Sequence, residues 1–315
     1  MISYRPFLNS DPPRLVEIWR TQPPERALMQ PMSIDLFESL VFAKPYFDRN
    51  GLIVAVDDDT PVGFAHASFG PTDNESDIST QLGVTSLVMV RANYQRRGIA
   101  ASLVAQSEAY LRRRGAQVLY AGGIRPLNGF YLGLYGGSEL PGVLDSTRRA
   151  QELFERAGYR AIDRTVVYHR DLAGFRPPMD RQQMQIRRRC QLRIVEDPPS
   201  HSWWESCTLG GLERTRFELI ANQGGLLLAS ATFWGIMPLA TSWGVHATGL
   251  IELEVATDQR RQGLATHLLG EAFRHFASFG ITLVEVQTME TNSAARQLYA
   301  KLGFHQIDAG NVYRK

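Results

Sequence analysis

Two short stretches of the sequence combine a glycine with neighbouring arginines, which are the residue types that bind phosphate groups. They are Gln95–Ala100 and Arg260–Ala265, and they correspond position by position at an offset of 165 residues. Glycine permits backbone conformations in which successive N–H groups face one ligand, and arginine adds positive charge. We therefore predict that the main chain of each stretch binds an anion.

The flanking residues predict a strand before each stretch and a helix after it. In Ile251–Val255 three apolar residues alternate with Glu252 and Glu254, as in a strand with one buried face. Apolar residues then recur at spacings of three and four, as in an amphipathic helix. Val84–Val90 and the residues after Gly98 repeat this order. A strand, a glycine loop and a helix N-terminus form an anion-binding cradle, and we refer to the N-terminal and C-terminal cradles below.

The C-terminal cradle resembles motif A of the Gcn5-related N-acetyltransferase (GNAT) superfamily, whose pattern is (Q/R)-x-x-G-x-(G/A). Residues Asn292–Phe304 are similar to a second signature of that family, N-x-x-A-x-x-L-Y-x-x-x-G-F. With the repeated cradle, the resemblance covers most of the chain as a tandem pair. It implies an α/β fold of two GNAT-like domains, each a twisted mixed β-sheet flanked by helices.

The length of 315 residues also suggests two domains. We expect an N-terminal domain at residues 1–175, a linker at 176–184 and a C-terminal domain at 185–315. The N-terminal half carries about 20 extra residues, which we place near 126–143. Their aromatic side chains are too apolar to remain in water, so they should pack on their own domain or against the other half.

Composition limits the classes of partner. A net charge of +2 is too small to indicate nucleic acid or a membrane surface as the main partner. Two cysteines without metal-ligand spacing predict no metal site and fit a reducing, cytoplasmic setting. We see neither a secretory signal nor an apolar run of about 18 residues. The oligomeric state stays open.

The resemblance implies acetyl-CoA as the acyl donor and assigns residues to it. It implies that the Val255 N–H binds the thioester oxygen, and that the strand ending there separates from Val284–Gln287 to admit the pantetheine arm. Asn292 is implied as a CoA contact and is also a good helix N-cap. The residues assigned to the cofactor are Val255, Arg260, Arg261, Gln262, Gly263, Leu264, Ala265 and Asn292 in one half, and Val90, Gln95, Arg96, Arg97, Gly98, Ile99 and Ala100 in the other.

Three residues of the C-terminal half are candidates for proton transfer. Tyr299 matches the family's general acid, and the alternative is a core aromatic on the last helix. Glu252 and Glu254 are candidates for the base, directly or through water, and otherwise are solvated strand carboxylates. His246, before the same strand, is a weaker candidate.

The N-terminal copy departs from the family pattern. Phe154 occupies the position of Tyr299, and Thr147 that of Asn292. Because a phenyl ring cannot donate a proton, this half lacks the usual acid. Tyr135 in the insertion could replace it, unless its spacing from Asn128 is a coincidence in an aromatic-rich segment. We interpret the N-terminal half as degenerate or structural and the C-terminal half as catalytic.

Two further segments carry expectations about the C-terminal domain. Gln185–Val195 alternates as a half-exposed strand, and its basic run Arg187–Arg189 is more typical of solvated charge than of nucleic-acid binding. Trp203 and Trp204 lie where the domain is shorter than the family pattern. They could form the floor of the acceptor pocket or cover a small core.

These observations predict an N-acetyltransferase that transfers an acetyl group directly to a primary amine of a small molecule or peptide. The alternative is a non-catalytic acyl-CoA-binding sensor or interaction protein on the same fold. A third hypothesis is transfer of a longer acyl group.

Overall fold

The computed structural model describes all residues, 1–315, and the chain forms two compact units. Unit 1 comprises Met1–Thr165, Ser200–Gly211 and Asp308–Lys315, and unit 2 comprises Val166–Pro199 and Leu212–Ile307. Each unit therefore takes segments from more than one part of the sequence, and the domain boundaries expected from the sequence stay a prediction. Residues 308–315, at the far end of the sequence, pair with strands of unit 1, whereas residues 166–171, which end the strand that begins at Arg160, belong to unit 2.

Unit 1 is a mixed sheet with helices. Its strands are β1 (Ile2–Pro6), β2 (Leu52–Asp57), β3 (Thr60–Pro71), β4 (Ile78–Val90), β5 (Val118–Ala121) and β6 (Val143–Leu144), and its helices are α1 (Pro12–Arg20), α2 (Ile34–Phe37), α3 (Ile99–Arg113) and α4 (Arg148–Arg156). β1 to β5 are neighbours in sequence order, antiparallel except for the parallel β4–β5 pair. A π-helical turn, Glu38–Phe42, follows α2.

The insertion interrupts a single strand of unit 1. β5 and the short β6 both pair with the end of the last strand of the chain, through Tyr313↔Ala121 and Asn311↔Val143. Between β5 and β6 the inserted residues leave the sheet. Phe130 is buried there, with its ring centroid 4.4 Å from that of His66. Of the two places expected for these aromatic side chains, Phe130 occupies the first, because the cluster with His66 lies within unit 1.

Unit 2 is also built from parallel and antiparallel strands. Strand β7 (Arg160–Asp171) enters it at residue 166. The elements of unit 2 that follow are α5 (Arg181–Arg189), β8 (Cys190–Glu196), β9 (Arg214–Ala221), β10 (Leu227–Gly235), α7 (Met237–Trp243), β11 (Ala247–Val255), α8 (Leu264–Ser278), β12 (Leu283–Met289) and α9 (Ser293–Lys301). Helix α6 (Trp203–Leu209) belongs to unit 1. The last strand, β13 (His305–Arg314), begins in unit 2 and continues in unit 1 from residue 308. The strand order is β7-β12-β11-β10-β9-β8, and β11–β12 is the parallel pair. Apolar residues of α8 and of the sheet form its core.

The predicted linker and the strand predicted at 185–195 are wrong in part, because a helix precedes β8. The side chain of Asp180 caps this helix by accepting a hydrogen bond from the Gln183 N–H at 2.8 Å. Ile186, which strand alternation placed on one face, is 1 % exposed on α5 and belongs to the core of unit 2. A capping carboxylate and a buried helical position outweigh the short alternating pattern.

The tryptophan pair lies on α6, which belongs to unit 1, so it covers apolar residues of that unit and not the core of the C-terminal domain; a role in the acceptor pocket stays a prediction. Trp204 is buried, and its ring centroid lies 4.7 Å from that of Tyr46. At the end of α6, the Lys44 ammonium donates to the carbonyls of Cys207 and Thr208 at 3.0 and 3.1 Å. A cation at a helix C-terminus is stabilising, so this segment is fixed on unit 1 rather than on the unit that precedes and follows it in sequence.

Candidate acyl-transfer site

The two cradles share one backbone conformation. Arg261 and Gly263 have φ angles of 61° and 81°, and their counterparts Arg96 and Gly98 have 62° and 80°. A positive φ is uncommon for arginine, so its recurrence at the same place indicates a defined loop shape. The sequence repeat therefore corresponds to a repeat in three dimensions.

The donors of the C-terminal cradle are available to a ligand. The first helical hydrogen bond of α8 runs from the His267 N–H to the Gly263 carbonyl at 3.0 Å, and the N–H groups from Arg261 to Ala265 have no acceptor within the protein. Unpaired N–H groups and the positive end of a helix dipole favour an anion. Arg260 and Arg261 are exposed beside them. This donor set fits the diphosphate of CoA.

The strands that lead into the site separate. The β11–β12 ladder runs from Ala247↔Leu283 to Leu250↔Val286, but β11 continues to Val255 and β12 to Met289. On its other edge, β11 has a bulge at Ile251 opposite β10. The divergence implied by the family resemblance is confirmed. In unit 1 the β4–β5 ladder ends in the same way, at Thr85↔Ala121.

Val255 directs its N–H group into this gap. The next residue, Ala256, donates its N–H to Leu228 on the β10 side at 2.9 Å. Because N–H groups of successive strand residues point to opposite edges, the Val255 N–H points towards the edge from which β12 has separated. A donor held at the mouth of the gap can polarise a carbonyl oxygen.

Tyr299 and Asn292 both lie on or next to α9. Tyr299 is 5 % exposed, and its ring centroid lies 6.0 Å from that of Tyr168 and 5.4 Å from that of Phe304. The Asn292 side chain accepts a hydrogen bond from the Ala295 N–H at 3.1 Å, which is the predicted N-cap. Core packing and capping are thus observed, whereas the acid and cofactor roles stay predictions.

The two glutamates of β11 differ in their surroundings. Glu252 accepts a hydrogen bond from the Thr232 hydroxyl at 3.1 Å and lies 3.5 Å from the Arg216 guanidinium. Glu254 is exposed and has no ion-pair partner. His246 is also exposed, and its carbonyl accepts from the Thr282 N–H at 2.9 Å. Glu254 is therefore the less constrained of the two carboxylates, and the base role of either stays a prediction.

A buried polar pair in unit 2 was missed by the sequence reading. The Glu285 carboxylate is 0 % exposed, and it contacts His169 Nε2 at 2.9 Å and Gln287 Nε2 at 3.3 Å. These residues sit where β12 is about to leave β11. The available signal was the alternation of Glu285 and Gln287 with two valines, which places both polar side chains on the sheet face opposite the apolar core.

The N-terminal unit keeps its cradle but differs around it. Phe154 is buried, 5.5 Å from the Tyr159 ring, and carries no ionisable group. The Tyr135 hydroxyl accepts from the Leu144 N–H at 3.2 Å and lies 3.4 Å from the Thr147 hydroxyl. Burial raises the pKa of Tyr135. This hydroxyl therefore lies near the start of α4, and its suggested acid role stays a prediction.

No group of three or more histidine, cysteine, aspartate or glutamate side chains is arranged to hold a metal ion, and Cys190 and Cys207 are free thiols. No helix combines the length and the apolar character needed to cross a membrane.

Comparisons with known proteins agree with this geometry. The model of the acetyltransferase (GNAT) family matches residues 13–135 and 181–304. A comparison with curated protein sequences found no match. Among solved structures, a GCN5-related glucosamine N-acetyltransferase region of a fungal multi-domain GH3 β-N-acetylglucosaminidase matches the whole chain with a TM-score of 0.73 and 17 % identity. The chain spans 38 % of that larger protein.

Two further structures have lengths close to that of this chain. A tandem GNAT protein from the clavulanic acid biosynthesis pathway has a TM-score of 0.68 and 16 % identity, with 100 % of this chain and 98 % of that one covered. A GCN5-related N-acetyltransferase from Sphaerobacter thermophilus has a TM-score of 0.63 and 14 % identity, covering 100 % and 95 %. These likenesses show the fold. Since the family model matches well over half of the sequence in two separate regions, the chain belongs to the acetyltransferase (GNAT) family, as a tandem member with two domains.

Proposed function

We propose that this protein is an acetyl-CoA-dependent N-acetyltransferase whose C-terminal unit transfers an acetyl group directly to a primary amine. The observation that carries the proposal is the gap between β11 and β12, which has the Val255 N–H at its edge and the unpaired donors of the C-terminal cradle next to it. Family membership supports acyl transfer in general. The gap gives a place for the acyl arm beside an anion site.

Each residue has a role in this proposal. Acetyl-CoA would supply the activated acetyl thioester. The N–H groups of residues 261–265, with Arg260 and Arg261, hold its diphosphate, and the Val255 N–H orients the thioester carbonyl. The Tyr299 hydroxyl holds the proton that the departing thiolate requires. Glu254 accepts a proton from the amine directly, or Glu252 does so through water.

The proposed acceptor is a small molecule or peptide with a primary amine. The fungal glucosamine N-acetyltransferase region supports the inclusion of amino sugars among the amines to be tested. The net charge of +2 supports an acceptor other than nucleic acid or a membrane. Two free cysteines support a cytoplasmic setting.

We propose that the N-terminal unit is not catalytic. It retains a cradle for CoA at residues 95–100, but Phe154 replaces the acid. Phe130 of the insertion also packs on His66 of the sheet, and Trp204 of α6 packs on Tyr46. The unit thus has an anion site without the side chains for transfer.

A thiol-release assay across a panel of amines tests the proposal. We expect acetyl-CoA-dependent release with at least one amine, and a fall in kcat of about 10²-fold in Tyr299→Phe with unchanged CoA affinity, the low end for loss of a general acid. Tyr135→Phe is the matched control and should leave kcat within twofold. An equal fall in both variants would contradict the assignment of catalysis to the C-terminal unit.

The second candidate is an acyl-CoA-binding sensor. The burial of Tyr299 among Tyr168 and Phe304 favours it, because a core aromatic needs no catalytic role. Tight CoA binding without turnover of any amine in the panel would support the sensor over the enzyme. Donors with longer acyl groups, used in the same assay, test the third hypothesis.

A further inference from the structure

We propose that α5 is part of the C-terminal cradle and that Gln183 is a positioning residue for its diphosphate-binding main chain. The identity of the ligand rests on the proposed function, whereas the contacts do not. This helix includes residues that the sequence predicted to be a linker, and nothing in the family signatures points to it.

Gln183 is anchored at both ends of its amide. It is 2 % exposed, whereas Gln182 and Gln185 on the same helix are exposed. Its Nε2 donates to the Gly263 carbonyl at 3.4 Å, and its Oε1 lies 3.1 Å from His267 Nδ1. Because the atom facing a carbonyl must be the donor, the oxygen faces the imidazole, and Nδ1–H donates to it. Burial lowers the pKa of His267, which favours this neutral tautomer at pH 7.

The contact with Gly263 acts on a cradle donor through the peptide plane. The carbonyl of Gly263 and the N–H of Leu264 belong to one rigid planar group. That carbonyl accepts from Gln183 and from the His267 N–H, at 3.4 and 3.0 Å. The C=O and the N–H of one peptide group point in opposite directions within its plane. The two hydrogen bonds to the Gly263 carbonyl therefore also fix the direction of the Leu264 N–H. When the carbonyl of a peptide group accepts hydrogen bonds, the N–H of the same peptide group, here that of Leu264, becomes a stronger donor.

Other contacts hold α5 in place against the cradle. Arg189, in the last turn of α5, donates to the Gln262 side chain at 3.2 Å. Ahead of the helix, Pro177 packs so close to Gly270 of α8 that a Cβ atom there would lie 3.3 Å from it. The C-terminal end of α5 thus contacts the cradle, and the residues before α5 contact α8. Gln183 lies between these two contacts in the sequence.

The N-terminal cradle provides an internal comparison. It has the same backbone angles, but the space beside Gly98 is empty to 4 Å, and the Gly98 carbonyl accepts only from the Ser102 N–H at 3.0 Å. The loop shape therefore forms without a glutamine brace. The added contact in unit 2 has its effect on the rigidity and donor strength of the cradle rather than on its folding.

Calorimetric titration with CoA tests the proposal in the full-length chain. A Gly98→Glu background disables the N-terminal cradle, so that heat reports the C-terminal site. We expect Gln183→Ala and Gln183→Glu to raise the Kd for CoA about tenfold. Gln183→Glu keeps the shape and still accepts from His267, but it cannot donate to Gly263. The exposed Gln185→Ala is the matched control, and its Kd should stay within twofold of the background.

Steady-state kinetics separate positioning from a general structural role. The KM for acetyl-CoA should rise with Kd in both Gln183 variants, while kcat stays within twofold. Unchanged Kd in Gln183→Glu, or a loss of kcat equal to the rise in KM, would overturn the proposal. If the background chain binds CoA but acetylates no amine, the proposed function fails and the Kd comparison still decides the role of Gln183. If the background chain does not bind CoA, both the proposed function and the proposed role of Gln183 are overturned.

Discussion

At the scale of single residues, a strongly perturbed titratable group, His66, lies outside the proposed catalytic site. His66 is completely buried in unit 1, and its Nδ1 lies 2.9 Å from the Tyr131 hydroxyl. Its Nε2 has no hydrogen-bond partner in the protein. A cavity of about 20 Å³ borders His66, Ser68 and Phe130, and that is enough room for one water molecule. We expect this water to satisfy the imidazole.

His66 predicts how stability depends on pH. Burial lowers its pKa to about 3, against the weaker opposing effect of Asp48. The unfolded state takes up the proton near pH 6.5, whereas the folded state does not. The free energy of unfolding is therefore highest above pH 6.5, as far as His66 is concerned, and falls as the pH drops towards 3. We expect urea unfolding to show a loss of about 1.4 kcal/mol per pH unit in that window.

Variants assign this slope to one residue. His66→Gln should remove it, although the variant will be less stable at pH 7. His305→Gln, at an exposed histidine, should retain it. An identical slope in wild type and His66→Gln between pH 6 and 4 would show that other groups control the acid sensitivity.

At the scale of elements, the two strand–loop–helix segments have the same backbone conformation, but different residues pack around them. Both have a bulge, an ending ladder and two positive φ angles at matching positions. α5 lies against only the second of them. Since identical backbones are made by different sequences, the glycine and the parallel strand pair determine the loop shape.

Alanine at the two cradle glycines should have unequal effects. At Gly98 an added Cβ meets nothing within 4 Å, so the cost is the left-handed strain alone, about 1 kcal/mol. At Gly263 it would lie 2.9 Å from Gln182 and 3.1 Å from the Gln183 amide. We therefore expect Gly263→Ala to lower the free energy of unfolding further and to weaken CoA binding. Equal losses in urea unfolding would contradict the crowding argument.

At the scale of the whole molecule, each half of the sequence completes the unit of the other half. Residues 308–315 belong to unit 1, where Tyr313 is buried and Lys315 pairs with the Leu119 main chain at 2.8 and 3.1 Å. Residues 166–171 belong to unit 2, where Tyr168 joins the core. An edge of a sheet that loses its partner strand exposes main-chain groups and apolar side chains.

Truncation at Ile307 tests this exchange. Although only the C-terminus is removed, we expect unit 1 to be destabilised, because β5 loses its pairing at Ala121. Hydrogen exchange measured by mass spectrometry should accelerate in Val118–Ala121 by at least tenfold. Lys315→Ala, which keeps the backbone, is the control and should show little change. Unchanged protection of β5 after truncation would refute the strand exchange.

The sequence alone was sufficient for the family, the tandem arrangement and the position of both cradles. The family and the tandem arrangement came from the resemblance of two motifs to those of a known family. The positions of the cradles depend on local rules: glycine where φ is positive, alternating apolar residues in strands, and helical spacing after the loop. The Asn292 cap and the separation of β11 from β12 were likewise anticipated, one from capping chemistry and one from the family resemblance.

Only the tertiary structure decided which segments complete each unit. The positions of α6 and of residues 308–315, and the packing of α5 on Gly263, depend on contacts between residues far apart in sequence. Local propensity predicts whether a segment forms a helix or a strand, but not which other element it packs against. That depends on burial and strand pairing between residues far apart in the sequence. For that reason the sequence predicted the strand, loop and helix of each cradle but not the distant segments that complete each unit.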